Sequence, residues 1–198
     1  MFPAKSRLFR EAGMNPVSDD SSSGRISSSF LVWASLPDAI ADLLRGAGSV
    51  LEIGCGQGLG CLAMAAAFPG LSITGHDPDP TAVDRARALA RSAALDDRVR
   101  FEVSDSLRLP RGTVDLVVVS GTQDGHDASR LLNAIRNALT PDGACLLIEP
   151  APARSLRGAT ARRQTDSALR AAAEKMGFSR RRRLPSTDRH VLIFELRR

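Results

Sequence analysis

Three glycines at alternate positions, directly after a short apolar run, constrain this chain more than any other feature. The segment reads VLEIGCGQG, and its acidic residue and glycines are Glu52, Gly54, Gly56 and Gly58. The apolar run Val50–Ile53 predicts a buried strand, and the alanine-rich stretch Leu59–Phe68 predicts the helix that follows. The glycines therefore lie in a strand-to-helix turn, where the lack of a Cβ lets the backbone approach a ligand closely.

Glycine-rich turns between a strand and a helix also occur in dinucleotide-binding proteins. A nicotinamide or flavin site requires the pattern G-x-G-x-x-G, in which the last glycine packs the helix on the strand. Counted from Gly54 the third glycine position holds Leu59, and counted from Gly56 it holds Cys61. The frame that starts at Gly58 begins too far beyond the strand, so a dinucleotide site is disfavoured. A turn that binds nothing stays open here, because one motif alone gives false positives.

Apolar runs alternate with helical patterns along the rest of the chain. The predicted strands are Val50–Ile53, Leu71–Gly75, Val99–Val103, Val114–Val119, Ala144–Ile148, Phe178–Leu184 and His190–Leu196. The predicted helix ends include a cap at Thr81, the turn Thr140–Gly143 after the helix from Ala128 to Leu139, and Gly177 after the helix from Thr165 to Met176. This alternation predicts an α/β fold, a doubly wound seven-stranded mixed sheet with helices on both faces and a C-terminal antiparallel hairpin.

The chain divides into two predicted segments. Residues 1–29 are polar and low in periodic signal, which predicts a flexible N-terminal arm or lid, and residues 30–198 predict one domain. No apolar run approaches the roughly 18 residues that span a bilayer, and the start of the chain lacks a secretory pattern. We therefore expect no membrane partner.

The charge pattern and the cysteines indicate which partners and which cell compartment we expect for the chain. The net charge is +5 and the pI is about 10.0, but nearly all the positive charge is arginine, densest at Arg180–Arg183. The chain has no tyrosine and one tryptophan, so the stacking residues typical of a nucleic-acid platform are scarce. Nucleic acid is disfavoured as a partner. Cys55, Cys61 and Cys145 have no metal-ligand spacing, which predicts a reducing, cytoplasmic location.

The motif Glu52-x-Gly54-x-Gly56-x-Gly58 resembles the first motif, E/D-x-G-x-G-x-G, of the class I S-adenosylmethionine (SAM) dependent methyltransferases. Seven strands that end in an antiparallel hairpin are also the core of that family. The resemblance covers roughly residues 30–198 and implies a Rossmann-like methyltransferase domain with SAM as its cofactor.

The resemblance implies a set of cofactor contacts at successive strand ends. The glycine loop, Gly54, Cys55, Gly56 and Gly58, would approach the cofactor, and Glu52 would help order its methionine ammonium end. Asp77 would accept from both ribose hydroxyls with Pro78 against the adenine, and Asp105 with Ser106 would bind the adenine edge. The backbone around Ser120 would approach the methionine portion. Asp77 as a helix-start carboxylate stays open as an alternative, although Asp79 and Thr81 suit that place better. Asp105 as a turn residue also stays open.

The acceptor is expected over the ends of the fourth and fifth strands, beneath the N-terminal segment. His126, in the polar loop Ser120–Asp127, is the candidate general base because histidine titrates near neutral pH, although a capping or solvent-facing role is open. Trp33 and Gln123 are the candidate substrate contacts, and Trp33 has core packing as its alternative. No metal site is expected, but Asp115, Asp124 and Asp127 leave a magnesium-dependent reaction open.

These patterns predict an enzyme that transfers a methyl group from SAM to oxygen or nitrogen of a small molecule. Three alternatives stay open. The first is a SAM-binding enzyme of this fold that cyclises or cleaves its own cofactor and releases methylthioadenosine. The second is an RNA methyltransferase that uses the arginine-rich C-terminal region, and the third is a non-catalytic protein with a vestigial site. The oligomeric state is not predicted.

Overall fold

The computed structural model describes residues 38–105, 107–120, 128–150, 171–178, 180–184 and 191–198. In chain order the elements are α1 (Asp38–Gly46), β1 (Ser49–Ile53), α2 (Leu59–Ala67), β2 (Ser72–Asp77), α3 (Pro80–Ser92), β3 (Val99–Val103), β4 (Val114–Ser120), α4 (Ala128–Ala138), β5 (Leu139–Pro150), β6 (Arg180–Leu184) and β7 (Val191–Arg197). Residues 171–175 are also helical. The predicted arm at 1–29 lies outside the described residues. Among the described residues, no helix is both long and apolar enough to span a bilayer.

The strands form one seven-stranded sheet in the order β3-β2-β1-β4-β5-β7-β6. The pairs from β3 to β5 are parallel, whereas β7 runs antiparallel to both β5 and β6. This confirms the predicted doubly wound α/β sheet with its C-terminal hairpin. The strand order reverses between β1 and β4, and open α/β sheets bind ligands beyond the carboxyl ends of strands at such a point.

Apolar side chains fill a layer on each face of the sheet. On one face, Val50 of β1 packs in a cluster with residues of α1, α2 and α3 such as Ile40, Leu62 and Val83. On the other face, Leu51 packs in a second cluster with Leu132 of α4 and with residues near the end of the chain. Because successive strand residues point to opposite faces, β1 supplies both clusters and is buried on both sides.

The helical segment at 171–175 ends as predicted. Gly177 has a φ of 76°, its amide donates to the carbonyl of Glu174, and the amide of Phe178 donates to the carbonyl of Ala173. These bonds satisfy carbonyls at the end of the helix, with glycine in the left-handed conformation that favours it. The start of the predicted helix, at 165–170, lies outside the described residues.

The predicted turn Thr140–Gly143 is wrong as an element, because these residues belong to β5. Val114 pairs with Leu139 and Leu116 with Ala144, so two steps along β4 correspond to five along β5, and the strand bulges there. A bulge accommodates Pro141, which has no amide to donate. The carbonyls of Asp142 and Gly143 accept from the side chain of Arg197 and the amide of Arg198, so the neighbouring strand supports the bulge.

The predicted cap at Thr81 is also wrong, since α3 begins earlier. Asp79 is the N-cap residue, and its carboxylate accepts a hydrogen bond of 2.8 Å from the amide of Thr81. Pro80 occupies the first helical position, where its missing amide costs nothing. Asp79 rather than Asp77 therefore starts α3, which leaves Asp77 at the end of β2.

Candidate cofactor site

The glycine loop between β1 and α2 is tied to the end of β2 by its backbone. The amides of Gly54 and Cys55 both donate to the carbonyl oxygen of His76, at 2.9 and 3.1 Å. The amide of Gly58 closes the turn on the carbonyl of Cys55, at 2.9 Å. The loop is therefore held in one place against the neighbouring strand before any ligand contributes.

The three glycines adopt left-handed backbone angles, with φ of 75° at Gly54, 53° at Gly56 and 81° at Gly58. An L side chain is strained in this region, so each position favours glycine. A Cβ on Gly58 would lie 2.4 Å from Cζ of Phe101 and 2.8 Å from Cβ of Ala86, so core packing also requires glycine there. Among the residues that the structure describes, a Cβ on Gly56 would meet nothing within 4 Å. Gly56 therefore borders open space, which a ligand can approach.

Asp77 joins the glycine loop to the start of α3. Its Oδ2 accepts from the amide of Gly56 at 2.8 Å, and its Oδ1 accepts from the amide of Asp79 at 3.0 Å. The side chain is half-buried. A carboxylate offers about four lone-pair positions, so both oxygens keep acceptor capacity while they hold the loop. The structure thus places the predicted ribose acceptor beside the middle glycine.

Glu52 lies behind the glycines as a buried carboxylate, with 2% of its surface exposed. Its Oε2 accepts a hydrogen bond from the thiol of Cys61 in the first turn of α2, with 3.0 Å between sulfur and oxygen. Burial and the charge of Glu52 together raise the pKa of the Cys61 thiol well above its usual value. The thiol consequently keeps its proton and is the donor in this bond.

Asp105 follows β3 and is half-exposed. Its Oδ1 accepts from the amides of Leu107 and Arg108, at 3.0 and 3.1 Å, and its Oδ2 lies 3.7 Å from Nε of Arg108. The turn role that the sequence left open is therefore present. The turn uses mainly the Oδ1 oxygen of Asp105. Asp77 pairs with Val103, so the carboxylates of Asp77 and Asp105 lie at neighbouring strand ends. Pro78 is exposed beside Asp77, as a surface for adenine requires.

The acceptor side of the predicted site falls mostly beyond the described part of the chain. Ser120 ends β4 in register with Ile148 of β5. Trp33, Ser106, Gln123 and His126 lie outside the described residues. The structure therefore brings together the predicted cofactor contacts on β1, β2 and β3, and it leaves the predicted acceptor contacts as an expectation.

Asp115 belongs to the opposite end of the sheet. Asp115 is the second residue of β4. Its carboxylate accepts hydrogen bonds from the amides of Gly48 and Ser49, both at 3.0 Å, and from the hydroxyls of Ser49 and Thr140. Burial raises the pKa of this carboxyl, but the hydrogen bonds outweigh it and the net shift is downward. A structural role therefore explains Asp115, which removes it from the possible magnesium ligands.

The ring of Phe101 supports the glycine loop, a role that was not predicted from the sequence. A Cβ on Gly75 would lie 2.7 Å from Cδ1 of Phe101 and 2.9 Å from Sγ of Cys55, and Phe101 also fills the space next to Gly58. Phe101 therefore packs beneath the loop only because two glycines make room for it. The available signal was Gly75 itself, since a glycine inside a strand indicates a close approach.

The side chain of His76, the residue whose carbonyl holds the glycine loop, titrates with pH. Its ring is buried on the face of the sheet opposite Glu52, and Nε2 lies 3.4 Å from a carboxylate oxygen of Glu102. Nδ1 has no hydrogen-bond partner within the described part of the chain. Burial lowers the pKa of His76, and the charge of Glu102 opposes that shift without reversing it. The folded protein therefore favours neutral His76, whose carbonyl holds the glycine loop.

We expect acid to destabilise the fold through His76. Because the pKa is lower in the folded state, the contribution of His76 to the free energy of unfolding is complete above the unfolded pKa of about 6.5 and declines as pH falls through the folded value. Thermal unfolding between pH 7.5 and 5 should show a steeper decline for wild type than for His76→Gln, which retains polarity but does not titrate here. Parallel declines would contradict this assignment.

Comparison with known proteins agrees with this geometry. Residues 50–143 match the model of a family described as a methyltransferase domain. The chain is 34% identical over 127 residues to 27-O-demethylrifamycin SV methyltransferase of Amycolatopsis mediterranei, an alignment that covers 60% of this chain and 46% of that protein. It is 35% identical over 161 residues to acetylserotonin O-methyltransferase of Mus musculus, covering 70% of this chain and 42% of that protein.

A solved structure with the same fold is that of a mitomycin 7-O-methyltransferase, with a TM-score of 0.69 and 23% identity. The alignment covers 96% of this chain and 60% of that one. At this identity the likeness concerns the fold. The chain spans less than half the length of the curated relatives it matches.

Proposed function

Because this chain belongs to the class I SAM-dependent methyltransferases, we propose that it transfers a methyl group to oxygen or nitrogen of a small-molecule acceptor. The observation that carries the proposal is the Asp77 carboxylate, which lies within 2.8 Å of the amide of Gly56 at the open side of the glycine loop. A ribose placed there meets an acidic acceptor and a backbone without side chains.

The chain's residues fit the parts of SAM in order. When bound, SAM supplies a sulfonium methyl group that a nucleophile displaces in line. Glu52 offers a buried carboxylate toward the ammonium end, Asp77 offers acceptors to the ribose hydroxyls, and Asp105 with Ser106 offers an edge to adenine. The N-cap of α2 is Gly58, which supplies no side-chain hydrogen bond, and the positive end of the helix favours a carboxylate nearby.

The acceptor class rests on the relatives. The names of the two curated relatives describe transfer to rifamycin and acetylserotonin compounds. In this chain the groups proposed to meet an acceptor are Trp33 and Gln123, with His126 as general base. Their task is to exclude water, align the nucleophile with the methyl carbon and remove a proton where the acceptor carries one.

His126→Ala provides a test of the base. If His126 removes the acceptor proton, kcat should fall by roughly 100-fold or more while SAM affinity stays near the wild-type value, because most of the proposed cofactor contacts lie at the ends of β1, β2 and β3. Rate measurements at saturating SAM would be compared with His190→Ala, which removes the histidine that precedes Val191 in the sequence. Equal rates in the two variants would reduce His126 to a capping residue.

Product analysis tests the reaction type. The purified protein would be incubated with SAM and candidate hydroxy- and amino-aromatic acceptors, and the released nucleoside identified by mass. S-adenosylhomocysteine together with a methylated acceptor supports the proposal. Methylthioadenosine as the product would instead show cyclisation or cleavage of the cofactor. Binding to RNA that weakens steeply with salt would favour the arginine-rich edge at β6 and an RNA acceptor.

The two predicted segments of the chain have separate proposed roles. We propose that residues 1–29 act as an arm over the acceptor and that residues 30–198 form the catalytic domain. The three cysteines are free thiols in the structure, which supports a reducing, cytoplasmic location.

A further inference from the structure

The hydrogen bond from the thiol of Cys61 holds the carboxylate of Glu52 in one orientation. Glu52 is the second-to-last residue of β1 and shares a face of the sheet with Val50, which packs against α2. Only 2% of its surface is exposed. A buried carboxylate is costly unless its oxygens accept hydrogen bonds, and a thiol in α2 reaches one of them at 3.0 Å.

Cys61 combines core packing with this hydrogen bond. It is fully buried in the first turn of α2, and its thiol donates to Oε2 of Glu52. The helix follows the glycine loop directly, because Gly58 is both the last glycine of the loop and the N-cap of α2. The thiol therefore links the orientation of Glu52 to the position of the glycine loop.

We propose that Cys61 is a positioning residue that orients Glu52 toward the amino-acid end of the cofactor. This inference rests on the proposed function, in which Glu52 meets the ammonium group. It adds a residue outside the glycine motif, which contacts Glu52 rather than the cofactor. The inference has a selective consequence. Removal of the Cys61 thiol weakens recognition of the amino-acid end of the cofactor and leaves recognition of adenosine unchanged.

Two ligands separate these ends. S-adenosylhomocysteine carries the ammonium group, whereas 5′-methylthioadenosine has the same adenosine and no amino acid. Isothermal titration of Cys61→Ala should show roughly tenfold weaker binding of S-adenosylhomocysteine, the size of one hydrogen bond to a charged group, and an unchanged affinity for methylthioadenosine. Cys61→Ser, which keeps a donor, should bind S-adenosylhomocysteine with an affinity between those of wild type and Cys61→Ala.

Cys145→Ala is the matched control for lost packing. Cys145 is also fully buried but lies on β5 in the cluster on the other face of the sheet. Both ligands should bind this variant as they bind wild type. A double-mutant cycle adds Glu52→Gln, in whose background Cys61→Ala should cause little further loss because the shared interaction is already gone.

Two results would overturn the inference. One is an equal loss for both ligands in Cys61→Ala, which would mean that the thiol supports the loop as a whole. The other is an unchanged affinity for S-adenosylhomocysteine in that variant. Failure of the proposed function would look different, because wild type itself would then bind neither ligand.

Discussion

Asp77→Asn is expected to weaken binding of S-adenosylhomocysteine by roughly 100-fold, since it removes the charge from a group that would accept two ribose hydrogen bonds. The amide has nearly the shape of the carboxylate, and its one oxygen can accept from the amide of Gly56 or of Asp79. The two backbone amides are now held by Oδ2 and Oδ1, so one of these bonds is also lost. Isothermal titration measures the affinity, and thermal unfolding measures the cost to the fold.

Asp79→Ala is the control two residues away. It removes the N-cap of α3 and should lower the free energy of unfolding by about 1 kcal/mol while the affinity stays near that of wild type. An Asp77→Asn variant that binds S-adenosylhomocysteine as tightly as wild type would remove the ribose assignment. Asp77 would then serve only to hold the loop.

Gly56→Ala and Gly58→Ala should separate ligand binding from folding within one loop. Both positions have positive φ, so each alanine costs about 1–2 kcal/mol of backbone strain. At Gly58 the added methyl also overlaps Phe101 and Ala86, and we expect a further loss of several kcal/mol or failure to fold. At Gly56 the methyl enters open space, so the protein should fold and lose most of its affinity for S-adenosylhomocysteine.

Denaturant unfolding and titration of the two variants check this prediction. Gly112→Ala is the matched control, because Gly112 also has a positive φ, of 63°, and a Cβ there also meets nothing within 4 Å among the described residues. Gly112 precedes β4, away from the loop. If Gly56→Ala binds S-adenosylhomocysteine as well as Gly112→Ala does, the open space beside Gly56 does not hold the cofactor.

The sheet was predictable from sequence because its strands are apolar runs of the right length. Val99–Val103 coincides with β3, and Val50–Ile53 falls within β1. A methyltransferase domain was predictable because the three glycines after β1 occur together with Asp77 and Asp105 at the next two strand ends, and residues 50–143 match that family. The cofactor SAM follows from the family.

Competition between possible hydrogen-bond partners decided two local features, the start of α3 and the conformation of Thr140–Gly143. The sequence offered both Asp79 and Thr81 for the start of α3, and Asp79 is the cap because Pro80 fits the first helical position after it. Thr140–Gly143 has the composition of a turn, but pairing with β4 on both sides keeps it within β5. Both outcomes depend on partners, which single-residue preferences do not contain.

The pairing of Cys61 with Glu52 and the ring of Phe101 beneath Gly58 also lay beyond sequence reasoning. Each joins residues on different elements, whose contact depends on how α2 and β3 pack on the sheet. Glu52 and Cys61 are nine residues apart and a loop separates them, so neither the helix period nor the strand period predicts that they meet. Such contacts require the fold first.

Titration of the wild-type protein with S-adenosylhomocysteine tests the central claim most directly, namely that the glycine loop and Asp77 form a site for this cofactor. We predict saturable binding in the micromolar range that is lost in Gly56→Ala, a variant that still folds. Absence of binding by the folded wild-type protein, with SAM as well as S-adenosylhomocysteine, would contradict the account and make the glycine loop a structural turn.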